Sequence, residues 1–270
     1  MELEKKIFGL IGYPLGHSWS AAYFNEKFRR EGHVHKSYQL FPLASLDGFQ
    51  ALIANLPELA GLNVTIPYKI SIIPYLDDID ETAHRIGAVN TIKITREKGR
   101  IHTMGFNTDS AGFFLTLTDH IKQSNALILG TGGASKAVAF ALQNLQIRYT
   151  FISRKPNAAG ILSYNELTVE MIKDNKLIIN TTPVGMYPDV GACPPIPYDA
   201  IGKDHLLYDL IYNPEETVFI RRGKIRNAHT INGLQMLINQ ADLAYEIFTS
   251  TEDITPWFPV RYPLQPQSSD

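Results

Sequence analysis

The feature that most constrains the fold of this chain is a buried strand that runs into a glycine-rich loop and then into a helix. Ala126 to Leu129 is a continuous apolar run, typical of parallel sheets. The loop reads Gly130-Thr131-Gly132-Gly133-Ala134-Ser135, and Lys136 to Leu145 has helical spacing. Glycine backbone can approach a pyrophosphate closely, and a helix N-terminus offers unpaired N–H groups. The pattern predicts a dinucleotide site; a tight turn without a ligand is the alternative.

The end of the next strand indicates which dinucleotide is bound. An NAD site usually has an acidic residue about 20 positions after the glycines, where it bonds the ribose 2′-hydroxyl. Here the strand Tyr149 to Ile152 ends in Ser153-Arg154-Lys155, with no carboxylate. A hydroxyl and two cations suit the 2′-phosphate of NADP. A solvated pair of surface cations is the alternative.

Strand and helix patterns alternate along the chain, which predicts α/β architecture. The other strand candidates are Ile7 to Ile11, Ser37 to Phe41, Gly61 to Ile66, Val89 to Thr95, Arg100 to Gly105, Lys176 to Ile179 and Leu206 to Leu210. The other helix candidates are Ala21 to Glu31, Leu46 to Asn55, a helix opened by Pro67 that carries Lys69, and Leu234 to Phe248. We expect two α/β domains. Residues 1–108 and 234–270 form a substrate-binding catalytic domain, to which the last helix returns, and residues 109–233 form a Rossmann-type dinucleotide-binding domain.

Composition excludes several classes of function. With a net charge of −2, the chain has no basic surplus for binding nucleic acid. No apolar run reaches the roughly 18 residues of a membrane span. The single cysteine, Cys193, permits no intramolecular disulfide and suits a cytoplasmic protein. The only metal-like spacing, His33-Val34-His35, is typical of a surface loop, so we expect no metal site.

Small polar side chains gather near predicted strand ends, where open α/β sheets bind ligands. The clusters are His17-Ser18-Trp19-Ser20, Asn63 to Lys69, Ala88-Val89-Asn90-Thr91 and Gly105-Phe106-Asn107-Thr108-Asp109. A polyol needs such donors and acceptors in fixed directions. Each cluster alone has a simpler explanation. Ser20 can cap a helix, and Asn63 and Asn90 can bond turn backbone.

These clusters and the glycine loop resemble the shikimate dehydrogenase family. Two further segments share the resemblance, Asn180 to Met186 and Asn232 to Leu237. It extends from about Phe8 to the final helix, and its most specific parts are the Asn63 to Lys69 run and the pairing of Asn90 with Asp109. The resemblance implies reversible NADPH-dependent reduction of 3-dehydroshikimate to shikimate, in the chorismate pathway to the aromatic amino acids.

The resemblance also implies a role for each matched residue. The catalytic pair is Lys69 and Asp109. The substrate-binding residues are Ser18, Ser20 and Tyr212 for the carboxylate, and Asn63, Thr65, Asn90 and Gln240 for the ring hydroxyls. The cofactor-binding residues are Gly130, Gly132, Gly133, Ala134 and Ser135 at the pyrophosphate, Ser153, Arg154 and Lys155 at the 2′-phosphate, and Thr181, Met186 and Gly233 near the nicotinamide.

The chain departs from the family pattern at three places. Ala21 and Phe24 stand where the family often has proline and histidine, at the start of the first helix. The second cofactor strand ends Ser153-Arg154-Lys155, where the family commonly has Asn-Arg-Thr. The arginine is retained, and the third position gains a charge.

The chemistry assigns different tasks to the catalytic pair. Hydride addition to a ketone leaves an alkoxide that must take a proton, and a protonated lysine can donate it. We therefore expect Lys69 to be the proton donor, and Asp109 to orient the substrate hydroxyl and share the proton. The cofactor carries the hydride, so no metal is required.

Three rival functions can be weighed on the same residues. A quinate/shikimate dehydrogenase with broader substrate or NAD use would favour an acidic residue after the second cofactor strand. A non-catalytic ligand sensor on the same fold would favour loss of Lys69 or Asp109, and both are present. A folate dehydrogenase binds an extended aromatic ligand, which the serine and asparagine clusters suit less well. We expect a cytoplasmic monomer or homodimer.

Overall fold

The computed structural model describes residues 4–16, 18–117, 125–156 and 158–250. His17, from the first polar cluster, lies outside the described residues. The described chain divides into two compact units. The first contains residues up to 108 together with 240–250, and the second contains residues 109–239. No helix in these ranges is long and apolar enough to cross a membrane.

The first unit is built on a six-stranded mixed sheet in the order β2-β1-β3-β5-β6-β4. Its strands are β1 (Lys6–Gly12), β2 (Lys36–Pro42), β3 (Leu59–Val64), β4 (Asp78–Ile79), β5 (Thr91–Glu97) and β6 (Arg100–Phe106), and its helices are α1 (Trp19–Arg30), α2 (Phe49–Asn55) and α3 (Glu81–Ile86). Strand β1 pairs in parallel with β2 and β3, whereas β5 is antiparallel to β3 and β6. The strands predicted at Val89 to Thr95 and Arg100 to Gly105 are confirmed, and they form a hairpin. It turns at Lys98 and Gly99, which have φ angles of 50° and 77°.

The second unit is built on a six-stranded sheet in the order β12-β11-β10-β7-β8-β9, with every neighbouring pair parallel. Its elements are α4 (Asp109–Leu117), β7 (Ala126–Leu129), α5 (Gly133–Asn144), β8 (Tyr149–Ser153), β9 (Ile161–Ser163), α6 (Val169–Asp174), β10 (Leu177–Asn180), β11 (Leu206–Asp209), α7 (Val218–Ile225), β12 (His229–Ile231) and the first part of α8 (Leu234–Thr249), up to residue 239. Counted from β7, the order is 3-2-1-4-5-6, that of the Rossmann fold. The predicted fold class is confirmed, and the order reverses between β7 and β10.

Apolar side chains cover both faces of the sheet in the first unit. On one face, Phe49 of α2 and Ile72 pack with the buried strand residues Ile11 and Leu62. The other face contacts α1 and the end of α8, whose residues from Gln240 on belong to this unit. Tyr23 and Lys27 of α1 both bond the Asp242 carboxylate of α8, at 2.6 and 2.5 Å. The last part of α8 is thus tied to α1.

The predicted helix after Pro67 is wrong, and the segment with Lys69 is a series of turns. The Ile72 amide bonds the Tyr68 carbonyl at 2.9 Å, as in one α-turn. The Lys69 carbonyl accepts from the Val89 amide at 2.7 Å. The chain then tightens into a 3₁₀ turn, Ile73–Tyr75, that contains Pro74.

Candidate active site

The glycine loop lies at the carboxyl end of β7, beside the point where the strand order reverses. Gly130 has a φ of +115°, and a Cβ there would lie 2.7 Å from the Thr181 Oγ1. Only glycine fits this conformation and this contact. Gly132 is the N-cap of α5. A Cβ added to Gly132 would meet no atom within 4 Å, so the space above this residue is open. The loop can therefore admit a phosphate at the N-terminus of α5.

Ser135 occupies the position of the usual third glycine and is fully buried. Its Oγ donates to the Gly132 carbonyl at 2.6 Å. A small side chain is thus accommodated where α5 packs on the sheet, and its hydroxyl is used within the loop. Gly133 and Ala134 form the first residues of α5, between the N-cap and Ser135.

The two cations after β8 are exposed and make no ion pair within the described part of the chain. The Ser153 Oγ accepts from the Lys155 amide at 3.2 Å, which shapes the turn that presents Arg154. Burial raises the pKa of nearby Tyr164, and the positive charge of Arg154 opposes that rise. Unpaired cations at this position can bind an anionic group without first breaking an internal pair.

The loop after β10 contacts the glycine loop directly. The Thr181 Oγ1 and amide both donate to the Leu129 carbonyl, at 2.6 and 3.0 Å. Met186, five residues on, is 40% exposed. Gly233, before α8, bonds the Ile211 carbonyl at 3.0 Å, and a Cβ there would lie 2.0 Å from the Leu210 carbonyl oxygen. Packing alone therefore requires glycine at this position.

Two predicted substrate or catalytic residues belong to the second unit. Tyr212 follows β11 and is half-buried, and burial raises the pKa of its hydroxyl. Asp109 begins α4 and is 4% exposed. A carboxylate in the first turn of a helix is stabilised by the helix dipole.

The predicted amide residues of the first unit form one buried network. The Asn63 Oδ1 accepts from the Tyr38 hydroxyl at 2.8 Å, and its Nδ2 donates to the Asn90 carbonyl and the Thr91 Oγ1, at 3.3 and 3.1 Å. Both Asn63 donors are engaged, which leaves an unused lone pair on Oδ1. Asn63 can therefore accept a hydrogen bond from a ligand hydroxyl.

Asn90 connects this network to the chain that leads into Asp109. Its Oδ1 accepts from the Thr108 amide at 2.8 Å, and its Nδ2 donates to the Thr108 Oγ1 at 2.9 Å. The same Nδ2 lies 3.4 Å from the Gln240 Oε1 of α8. Asn90 thus holds Thr108, the residue before Asp109, in a fixed position.

The hydroxyl residues of the first unit are placed differently. Ser18 is the N-cap of α1 but makes no capping bond, and Ser20 lies inside the helix. In the described ranges, the side chains of Ser18, Ser20 and Thr65 make no hydrogen bond. Half-buried hydroxyls without internal partners are available to a ligand. The capping role considered for Ser20 is therefore not observed.

Backbone contacts bring the loops of the first unit together. The Tyr13 amide, in the loop after β1, donates to the Ile66 carbonyl at 3.1 Å. The half-buried Lys69 is held against the segment before Asn90 through its own carbonyl. The loop before α1, the turn carrying Lys69 and the segment at Asn90 are therefore linked at one edge of the sheet.

Sequence patterns alone missed the residues that hold the amides in place. Tyr38, on β2, orients Asn63, and its ring stacks on Phe24 with centroids 4.5 Å apart. Thr91 and Thr108 were within the quoted clusters without a role. Thr91 and Thr108 had a signal in the sequence, since they stand next to Asn90 and Asp109, whereas Tyr38, 25 positions from Asn63, had none. Phe24, a departure from the family pattern, joins the aromatic core.

Metal ligands do not gather in the described ranges, where no group of three or more His, Cys, Asp or Glu side chains could hold an ion. The His33 Nε2 lies 3.8 Å from a Glu31 carboxylate oxygen, and the His33 and His35 rings meet edge to face. Two imidazoles and one carboxylate arranged in this way do not converge on a common point.

Comparisons with known proteins agree with the fold. Residues 10–92 match the family model described as the shikimate dehydrogenase substrate binding domain. A relative from Methanococcus maripaludis, named shikimate dehydrogenase (NADP(+)), is 40% identical over 272 residues, which cover 92% of this chain and 93% of the relative. One from Methanocaldococcus jannaschii, with the same name, is 39% identical over 271 residues, covering 92% and 93%.

Solved structures extend the similarity to three dimensions. Shikimate 5-dehydrogenase from Thermus thermophilus, solved in complex with NADP(H) and shikimate, is 31% identical with a TM-score of 0.78, and covers 90% of this chain and 93% of that one. Shikimate dehydrogenase from Aquifex aeolicus is 32% identical with a TM-score of 0.80, covering 92% and 94%. The chain belongs to the shikimate dehydrogenase family.

Proposed function

We propose that this protein is an NADP-dependent shikimate dehydrogenase. It reduces 3-dehydroshikimate with NADPH and a proton to give shikimate and NADP⁺, reversibly, in the pathway that supplies chorismate to aromatic amino acid biosynthesis. The observation that carries the proposal is nearly full-length similarity to relatives of that name, in a chain that retains Lys69 and Asp109.

The residues of the second unit suit both the pyrophosphate and the 2′-phosphate of NADP. The open space above Gly132 admits the pyrophosphate, which would be held by residues 130–135 at the N-terminus of α5. Arg154 and Lys155, both exposed and unpaired in the described structure, would hold the 2′-phosphate with Ser153. Thr181, Met186 and Gly233 would line the nicotinamide. When bound, NADPH supplies the hydride.

The substrate would be held by two kinds of side chain. Ser18, Ser20 and Tyr212 bind its carboxylate, for which the two serines offer hydroxyls with no internal partner among the described residues. Asn63, Thr65, Asn90 and Gln240 bind the ring hydroxyls. Because the amides are already locked by Tyr38, Thr91 and Thr108, their remaining hydrogen-bonding positions have fixed directions.

Lys69 donates the proton that the developing alkoxide requires, and takes it back in the reverse direction. Asp109 accepts a hydrogen bond from the substrate hydroxyl and shares the proton with Lys69. The Asn90–Thr108 bonds hold the chain immediately before Asp109, so this carboxylate is positioned before substrate arrives.

The broader quinate/shikimate alternative is disfavoured by the end of β8, which carries two cations and no carboxylate. The ligand-sensor alternative is disfavoured by the presence of both catalytic residues. The lone cysteine suits the cytoplasm, where we place the protein as a monomer or a homodimer.

The test is an assay of the purified protein with shikimate or quinate and with NADP or NAD, followed by the absorbance of the reduced nicotinamide. We expect rapid reduction of NADP with shikimate alone. Comparable turnover of quinate or use of NAD would assign the protein to the broader class. Ligand binding without turnover of any pair would support the sensor function instead.

A further inference from the structure

A buried carboxylate, Asp209, ends β11 at the carboxyl edge of the parallel sheet and is fully inaccessible to solvent. Its Oδ1 accepts from the Asn180 Nδ2 at 3.0 Å and from the Ile211 amide at 3.1 Å. Its Oδ2 accepts from the Thr217 Oγ1 at 2.6 Å. One carboxylate thus joins the end of β10, the loop after β11 and the residue that precedes α7.

Asn180 carries this connection into the loop that contacts Gly130. Its Oδ1 accepts from the Thr182 amide and hydroxyl, at 3.1 and 2.6 Å. Its Nδ2 also lies 3.4 Å from the Val184 carbonyl. The Asn180 side chain therefore shapes residues 181–184, the segment that starts at Thr181 and leads to Met186.

The other side of Asp209 controls the loop after β11. The Ile211 amide bonds the carboxylate, and the Ile211 carbonyl accepts from the Gly233 amide at 3.0 Å. Thr217 is buried, caps α7 through the Ile220 amide, and closes the same loop from its far end. Tyr212 lies within the segment held at both ends.

We propose that Asp209 is a positioning residue for hydride transfer, which holds the Thr181–Met186 loop and the Tyr212 loop in one fixed arrangement. It acts through Asn180, Ile211 and Thr217. The inference rests on the proposed function, because the roles of Thr181, Met186 and Tyr212 come from it. Burial raises the pKa of Asp209 to about 6, because the ionised carboxylate is unfavourable in a buried site. An apolar residue that served only for packing would carry no such penalty.

The test compares Asp209→Ala with a matched control at the start of the same strand. His205 is 3% exposed, bonds the Ile172 carbonyl at 3.0 Å, and lies immediately before β11, at the opposite end from Asp209. We expect Asp209→Ala to lower kcat by about tenfold or more, since small displacements of reacting groups are costly. We expect His205→Ala to leave the kcat of the folded enzyme within about twofold of wild type.

A binding measurement separates positioning from loss of the cofactor site. Adenosine 2′,5′-bisphosphate carries the 2′-phosphate but no nicotinamide. Its dissociation constant, measured by calorimetry, should be unchanged in Asp209→Ala. Equal losses of kcat in the Asp209 and His205 variants, or a kcat for Asp209→Ala within about twofold of wild type, would overturn the inference.

Conservative variants keep the test decisive if Asp209→Ala does not fold. Asp209→Asn retains one acceptor oxygen for Asn180 and Ile211, and should lose less kcat than the alanine variant. Thr217→Val removes the hydroxyl that donates to Asp209 and caps α7, whereas Thr217→Ser keeps it. We expect kcat to fall in Thr217→Val and to recover in Thr217→Ser; equal kcat in the two would contradict the inference.

Hydrogen exchange distinguishes failure of this inference from failure of the proposed function. If the wild type does not oxidise shikimate, the proposed function fails, but the network can still be tested. Amides in residues 181–186 and 210–217 should exchange faster in Asp209→Asn than in wild type, and at the wild-type rate in His205→Ala. Unchanged exchange in both segments of Asp209→Asn would overturn the positioning role.

Discussion

The two units present their polar groups in opposite ways. In the first unit, Asn63 and Asn90 are buried and nearly saturated by internal hydrogen bonds. In the second, Arg154 and Lys155 are exposed and unpaired within the described residues. Neutral ring hydroxyls must be recognised by direction, which requires rigid amides, whereas a phosphate is recognised by charge, which tolerates mobile cations. The two ligands thus call for different degrees of preorganisation.

The second unit also contains a group that breaks this contrast. Like the amides of the first unit, Asp209 is buried and internally hydrogen-bonded. It is also ionisable, and three donors bond its carboxylate. Its carboxylate bonds Asn180, Ile211 and Thr217, none of which is a proposed cofactor-binding residue. The comparison therefore predicts that stability depends on buried polar groups in both units, while ligand affinity in the second depends on exposed ones.

The largest expected effect is on turnover, from the first unit. Lys69→Ala should lower kcat by about 10²- to 10⁴-fold, because it removes the proton donor, and should leave the dissociation constant of NADP unchanged. Stopped-flow turnover and calorimetric titration measure the two quantities. The exposed Lys5→Ala is the control and should match wild type. Equal losses in turnover and NADP affinity would refute the division of labour.

The next effect is on the pH dependence of stability. Asp209 has a folded-state pKa of about 6, above its ordinary value of 3.8. Its stabilising contribution is therefore complete below about pH 4 and is lost as the pH rises through 6. Between pH 4 and 7.5, Asp209→Asn should remove on the order of 3 kcal/mol of the pH-dependent change in the free energy of unfolding. Urea titrations across this range measure it; parallel curves for the two proteins would contradict the burial of a titrating carboxyl.

A smaller effect, on the KM for NADP, is expected from the cation proposed to bind the 2′-phosphate. Arg154→Ala should raise the KM for NADP about tenfold and change that for NAD little, since it removes a charge-assisted contact to the 2′-phosphate. Arg148→Ala is a matched control, because Arg148 is also exposed but lies at the other end of β8. Steady-state kinetics with both cofactors measure the effect. A parallel rise in KM for NADP and NAD would place Arg154 elsewhere than at the 2′-phosphate.

The smallest effect on stability is expected at the substrate hydroxyls. Ser20→Ala should raise the KM for shikimate and change the free energy of unfolding by less than about 0.5 kcal/mol, because the hydroxyl has no internal partner in the described structure.

By contrast, Asn90→Ala should lower the free energy of unfolding by roughly 1–3 kcal/mol, because it leaves the buried Thr108 amide without its acceptor. Similar losses of unfolding free energy in Ser20→Ala and Asn90→Ala would contradict the proposed difference between hydroxyls without an internal partner in the described structure and hydrogen-bonded amides.

Most of the fold could be predicted from short stretches of sequence. The strand, loop and helix around Gly130 and the Lys98–Gly99 hairpin are encoded by neighbouring residues, so their patterns sufficed. The helix expected at Lys69 was wrong because a distant residue, Val89, takes the Lys69 carbonyl that a helix would use. A competing long-range hydrogen bond leaves no trace in local spacing.

The sequence by itself determined the α/β class, the dinucleotide loop and the set of polar residues near strand ends, since local backbone preferences and hydrophobic periodicity carry that information. Only the tertiary structure decided which polar groups remain open to a ligand. Asn63 meets Tyr38 from 25 positions away, and Asn180 meets Asp209 from 29. Such partners become neighbours only when the sheet assembles, because strand order in a sheet is independent of spacing along the chain.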